Sequence, residues 1–322
     1  MGAIKFASLI LTYRCNARCY MCHTWKYSSK RNEEIDISVY EKLPFMDNIN
    51  ITGGEPFLRE DIEDIINILR EKTKRLVISS NGFFTEKILK LFEKRKDIGI
   101  RISIEGLPKT NDELRGIKDG FDHGIRSLIG LHKMGIKDIG FGITVTDRNA
   151  KDMIELYHLA KMMQLEFASA TIHNSFYFHK YDNKLDYPNI AIEEFKKLIY
   201  ELLKSKKVKD WFRAYFNYGL INYIKGNSRL LPCKMGHDSF FLDPSGKIFP
   251  CNVMEECMGN LKNKSFEEIW RGTKAERIRQ MISNCDKNCW MIGSVSQQMK
   301  GNISIPIRWI LKHKFLKKEI RV

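Results

Sequence analysis

Six short apolar runs punctuate the first half of the chain: Phe6–Thr12, Asn48–Thr52, Arg75–Ser79, Gly99–Ile104, Asp138–Val145 and Glu166–Ile172. Their length and their Ile, Val and Thr content predict strands buried on both faces of a parallel sheet. Between them the apolar period changes from two to about 3.6. Ile62, Ile65, Ile66 and Leu69 line one face of a helix, and Ile88, Leu89, Leu91 and Phe92 line another. Strand followed by helix, six times over, predicts an α/β fold, either a parallel barrel or a doubly wound sheet. In a barrel, chemistry belongs at the C-terminal ends of the strands. After the sixth run comes a stretch rich in histidine and aromatic residues, His173 to Tyr187. A further amphipathic helix follows, with Phe195, Leu198, Ile199, Leu202 and Leu203 on one face.

Composition changes near Gly226, beyond which the chain is cysteine-rich and broken by Pro232, Pro244, Gly246 and Pro250. Domain boundaries are therefore expected near 225 and 300: a core over 1–225, a small domain over 226–299 and a tail over 300–322. Of the 322 residues, 43% are apolar and 29% charged, which excludes a disordered chain. No uncharged apolar run approaches the about eighteen residues of a membrane span. The start, Met1-Gly2-Ala3-Ile4-Lys5-Phe6, carries neither a cleavage site nor a myristoylation signal, so a cytoplasmic protein is expected. Lys and Arg outnumber Asp and Glu by 54 to 39, a formal net charge of +15 that favours acidic partners, anionic cofactors or anionic lipid surfaces.

The eight cysteines fall into two groups separated by 210 residues. In a reducing compartment, clustered cysteines point to metal or redox chemistry rather than disulfides. Directly after the first strand run stands Cys15-Asn16-Ala17-Arg18-Cys19-Tyr20-Met21-Cys22. Three thiolates on one loop can hold three irons of a [4Fe–4S] cube and leave the fourth for another ligand. A zinc site completed by His23 is the competing reading. The second run ends in Gly53-Gly54-Glu55-Pro56, where two glycines allow close approach of backbone to a ligand and Glu55 offers a carboxylate to an ammonium group.

With these two motifs the chain resembles the radical S-adenosylmethionine superfamily. The cysteine loop matches its CxxxCxxC motif, and Gly-Gly-Glu-Pro matches the segment that binds the methionine amino group of the cofactor. Ser80-Asn81-Gly82, Ile102-Ser103-Ile104-Glu105-Gly106 and Leu114-Arg115-Gly116 resemble further landmarks of that family. The resemblance implies that Asn81, Ser103 and Arg115 reach the cofactor. Two departures are visible: Met21 stands where many members have an aromatic residue, and Glu105 stands where Asp is common. A polarisable Met can still pack against a flat adenine.

The remaining cysteines are Cys233, Cys251, Cys257, Cys285 and Cys289. Asp243-Pro244-Ser245-Gly246-Lys247 reads as a hairpin turn, and Ser265 with Glu268 as a capping box. This region resembles the SPASM/twitch extension of many radical S-adenosylmethionine enzymes, where such cysteines hold auxiliary iron–sulfur clusters. One auxiliary cluster, of the [4Fe–4S] type, is expected on Cys233, Cys251, Cys285 and Cys289. Cys257 then remains for hydrogen-atom donation to a substrate radical, for packing, or as a ligand in place of Cys285 or Cys289. A zinc ribbon is the alternative.

The expected fold is thus a partial (β/α)6 TIM-like barrel carrying a small cysteine-rich iron–sulfur domain. The resemblance implies an enzyme that cleaves S-adenosylmethionine to a 5′-deoxyadenosyl radical, with its electron drawn from a ferredoxin or flavodoxin. A non-enzymatic zinc- or nucleic-acid-binding protein is the alternative. Substrates left open are a peptide side chain, a sugar or aminocyclitol, and a lipid-linked group. The chain begins almost at the first strand, so no leader-peptide recognition domain is expected ahead of it. Residues 300–322 hold seven Lys/Arg and one Glu. On a helical wheel from Pro306 these cations do not segregate. The tail therefore reads as a terminal helix packed on the core or as a membrane contact, with nucleic acid unlikely because no recognition motif accompanies the charge.

Overall fold

The computed structural model describes residues 4–320. Met1-Gly2-Ala3, read above for targeting signals, and Arg321 and Val322 of the tail lie outside the described residues. All six apolar runs are strands: β1 (Phe6–Ile10), β2 (Met46–Thr52), β3 (Thr73–Ser80), β4 (Gly99–Ser103), β5 (Ile139–Val145) and β6 (Glu166–Thr171). They pair in parallel in sequential order, β1 to β6. Helices α1 (Ser38–Glu41), α2 (Ile62–Arg70), α3 (Thr85–Lys94), α4 (Pro108–Arg115), α5 (Gly120–Lys133) and α6 (Met153–Met162) connect them. The anticipated apolar faces are the buried ones: Ile65, Ile66 and Leu69 in α2, and Ile88, Leu91 and Phe92 in α3. The result is a partial (β/α)6 barrel.

After β6 come α7 (Pro188–Lys204) and α8 (Val208–Ile224). Strand β7 (Ser239–Leu242) then returns to the core and pairs in parallel with β1, so that Phe6 faces Ser239 and Leu9 faces Leu242. Antiparallel β8 (Lys247–Phe249) and β9 (Gly259–Asn260) extend the same sheet to nine strands. The Asp243 carboxylate accepts from the Ser245 and Lys247 N–H groups at 2.9 and 2.8 Å, which fixes the β7–β8 turn. Helix α9 (Phe266–Arg271) opens on the anticipated capping box, with Ser265 N–H donating to Glu268 Oε2 at 2.8 Å and Glu268 N–H donating to Ser265 Oγ at 3.2 Å. Helices α10 (Thr273–Ser283), α11 (Ile292–Gly301) and α12 (Ser304–Ile310) complete the chain. No helix among the described residues is long and apolar enough to cross a membrane.

Candidate active site at the mouth of the barrel

The loop Cys15–Cys22 leaves the C-terminal end of β1 and is strapped to the barrel from both sides. On one side Gly54 N–H donates to the Thr12 carbonyl, and Glu55 N–H to the Arg14 carbonyl, both at 2.8 Å. On the other side Arg18 N–H donates to the Arg115 carbonyl at 2.8 Å, and Tyr20 N–H to the Leu114 carbonyl at 2.7 Å. The glycines make both straps possible. A Cβ on Gly54 would overlap the Arg14 carbonyl oxygen, and Gly116, at φ +55°, would carry a Cβ 2.7 Å from the Arg18 carbonyl oxygen. Asn81 Nδ2 adds a side-chain tie to Asn16 Oδ1 at 2.7 Å.

A third support comes from the histidine- and aromatic-rich stretch after β6. His23 N–H donates to the Phe178 carbonyl at 2.8 Å, Tyr177 Oη to the Gly53 carbonyl at 2.5 Å, and Asn183 Nδ2 to the Met21 carbonyl at 3.0 Å. Ser175 Oγ donates to the Asn252 carbonyl, beside Cys251. This segment therefore braces the cysteine loop, the Gly-Gly turn and the distant cysteine region at once. Its composition stands out in the sequence, but no spacing rule predicts such a brace.

Glu34, also without a sequence signal, anchors the loop from below. Its carboxylate accepts from Ser29 Oγ at 2.7 Å, Arg14 Nη2 at 2.8 Å, Arg59 Nη1 at 3.2 Å and Thr12 Oγ1. Burial alone would raise the Glu34 pKa, but the bonds from Arg14, Thr12 and Ser29 outweigh it and hold it below the usual carboxylate range. Such a group stabilises the fold above its unfolded-state pKa, and the contribution is lost as pH falls through the folded-state value. Glu34→Ala takes from the half-buried Arg14 its only carboxylate among the described residues, leaves the buried Arg59 with Asp61 alone, and is expected to cost about 1–3 kcal/mol near neutral pH. Urea midpoints of variant and wild type should differ near neutrality and converge in acid; equal midpoints at neutral pH would contradict the role.

Facing these straps is one continuous cavity of about 1420 Å³. Cys15, Cys19 and Cys22 line it, together with Gly53, Gly54, Asn81, Ser103 and Arg115. So do Cys233, Cys251, Cys285 and Cys289, from the region beyond α8. Burial pushes the Cys15 thiol up to about 12, helped by the nearby Cys19 and Glu55, and pushes Cys19 and Cys251 up to about 11. Thr24 opposes this at Cys22, its Oγ1 lying 2.9 Å from the sulfur. Arg115 is buried and paired with Glu105 at 3.4 Å, while its Nε has no hydrogen-bond partner among the described residues. An orphaned guanidinium N–H on a cavity wall suits an entering carboxylate.

Four sequence-selected residues lie elsewhere. Glu55, the residue expected to meet the cofactor's ammonium, lies behind the cavity wall. Its buried carboxylate accepts from Phe57 N–H at 3.1 Å, Ser80 Oγ at 2.9 Å and Asn81 N–H at 2.7 Å, which joins the ends of β2 and β3. Pro56 is buried in the short helical turn that follows. Cys257 is not on the cavity wall: its Sγ donates to the Gly259 carbonyl at 3.3 Å, and it packs beside Ile10, Tyr177, Phe241 and Phe249. The His23 ring does not line the cavity either. Among the described residues no three Cys, His, Asp or Glu side chains close on one point, as a single ion would need. Thiolates around an iron–sulfur cube are each taken by a different iron.

The Radical SAM superfamily model matches residues 9–160, and the model of SPASM, an iron–sulfur cluster-binding domain, matches residues 233–290. The chain belongs to the radical SAM superfamily. Like its family, this radical SAM enzyme binds a [4Fe–4S] cluster and S-adenosylmethionine, and its SPASM region binds an auxiliary iron–sulfur centre. It is 31% identical over 162 residues to the Fe-coproporphyrin III synthase of Methanosarcina barkeri, a match over 46% of this chain and 39% of that protein's length. It is 25% identical over 299 residues to the AdoMet-dependent heme synthase of the same organism, covering 83% of this chain and 82% of the relative. Among solved structures, native anSMEcpe with bound AdoMet and Cp18Cys peptide superposes with a TM-score of 0.65 at 16% identity. That superposition covers 98% of this chain and all of the other, and demonstrates the shared fold.

Proposed function

We propose that this radical SAM enzyme carries out a net oxidation of an organic substrate held between its two cysteine sets. The observation that carries the reading is the cavity whose wall includes both Cys15, Cys19 and Cys22 and Cys233, Cys251, Cys285 and Cys289. At about 1420 Å³ it exceeds the roughly 300–1,000 Å³ of an ordinary ligand pocket, which leaves room for cofactors and a substrate together. In this reading the first three cysteines hold the [4Fe–4S] cluster and the other four hold one auxiliary cluster, within a domain spanning 226–299. Bound there, the first cluster would supply the electron for reductive cleavage of S-adenosylmethionine, and the auxiliary cluster would take the second electron of the substrate oxidation while the proton leaves to solvent.

The chain's own groups then bind and orient. Arg115 would hold the cofactor carboxylate, while the Gly53–Gly54 backbone, Asn81 and Ser103 would line its bed. Burial holds the His173 ring neutral, pushing its pKa down to about 4, so it adds no cation to the wall beside Asn252. Redox-neutral epimerisation needs a hydrogen-atom donor at the substrate, and Cys257 is packed away from the cavity. The electron donor we propose is an acidic ferredoxin or flavodoxin, complementary to a chain of net charge +15.

The test is to incubate the anaerobically reconstituted enzyme with deuterated candidate substrates and analyse both products. The reading expects deuterium in 5′-deoxyadenosine and a product two hydrogens lighter. A product of unchanged oxidation level that has taken a hydrogen from solvent would overturn it.

A further inference from the structure

Helix α12 runs into a π turn over Leu311–Phe315. One side of this unit is fastened to the protein. The Trp309 ring packs against Tyr218 and Tyr215 of α8, with centroids 5.1 and 5.7 Å apart. Pro306, Ile310 and His313 are buried with it. Lys314 Nζ donates to the carbonyls of Leu203 and Ser205, so this lysine is a fastening rather than part of the free surface.

Among the described residues the other side is exposed. Ile303, Ile307 and Leu311 recur every fourth residue and are 49%, 40% and 49% exposed. The π turn then places Leu316, 66% exposed, above Leu311, its N–H donating to the Leu311 carbonyl at 3.1 Å. Arg308 and Lys312, each one residue after a member of this stripe, are exposed, as are Lys317 and Lys318 beyond it. No acidic residue occurs from Lys300 to Lys318. The uniform helical wheel hid this arrangement because it counted Lys314 as free and ran an ideal period through the π turn.

We propose that this face docks the protein on an anionic membrane surface, with the Ile303–Ile307–Leu311–Leu316 stripe in the headgroup boundary and Arg308, Lys312, Lys317 and Lys318 on lipid phosphates. Apolar burial and attraction to anionic lipid act together on such a face, and each is weak alone. A second copy of the chain would bring the same cations against themselves. A nucleic acid would engage the cations but leave the apolar stripe in water. The proposal stands independently of the reaction assigned to the cavity.

The experiment is co-sedimentation of the full-length, cluster-loaded enzyme with vesicles of phosphatidylcholine alone or mixed with phosphatidylglycerol, at low and high salt. Binding is expected only to the phosphatidylglycerol vesicles and should weaken with salt. Ile307→Asp with Leu311→Asp, and separately Arg308→Glu with Lys312→Glu, should each lower partitioning about tenfold or more while iron content stays unchanged. Failure of the wild type to bind, or binding unaffected by either pair, would overturn the proposal. So would a single-stranded RNA that binds the face as tightly after Leu311→Asp as before, or a dimer abolished by that change.

Discussion

Replacing Cys15, Cys19 and Cys22 together by Ala is expected to remove about four irons per chain and to abolish reductive cleavage of S-adenosylmethionine. The effect should be all-or-none because the three thiols serve one cluster and no other cysteine lies on the same loop. The fold should survive, since the straps at Thr12, Arg14, Arg18 and Tyr20 are made by backbone groups that the substitutions leave in place. Iron analysis and chromatographic detection of 5′-deoxyadenosine check both halves. Cleavage at the wild-type rate in the triple variant would refute the assignment of these residues.

Gly54→Ala is expected to do partial damage of the same kind while every thiol stays in place. The added methyl group would overlap the Arg14 carbonyl oxygen and crowd Cys15, so the bond from Glu55 N–H to Arg14 must open. Overpacking of this kind costs about 1–3 kcal/mol, enough to shift the loop that presents Cys15. Iron incorporation should fall by more than half and affinity for S-adenosylmethionine by about tenfold, one decade being about 1.4 kcal/mol. Gly301→Ala, where a methyl group meets open space, is the control and should change neither. Normal iron and normal affinity in Gly54→Ala would show that the strap does not position the loop.

The barrel was legible in the sequence because each of the six short, β-branched runs is a strand, although the expected second buried face is instead a cavity wall carrying Ser8, Asn50, Ser79, Ser103 and Ser169. The cysteine loop and the Gly-Gly turn could be read because their chemistry is local. What could not be read is non-local. Nothing in Ser239–Leu242 marks it as the partner of β1 rather than part of a separate unit, since pairing depends on which edge the core leaves open. The direction of Glu55 likewise turns on Ser80 and Asn81, twenty-five and twenty-six residues away, whose donors capture its carboxylate inside the protein. Glu34 resembles any surface glutamate until the fold closes Arg14 and Arg59 around it. For Cys257, spacing alone placed it near the other cysteines, while the β8–β9 pairing turns its thiol toward the Gly259 carbonyl and an apolar cluster.

The most direct test of the account is S-adenosylmethionine turnover by the wild-type chain, purified without oxygen, loaded with iron and sulfide, and reduced. Formation of methionine and 5′-deoxyadenosine in equal amounts is the predicted result. An iron-replete, reduced protein that leaves S-adenosylmethionine intact would contradict it.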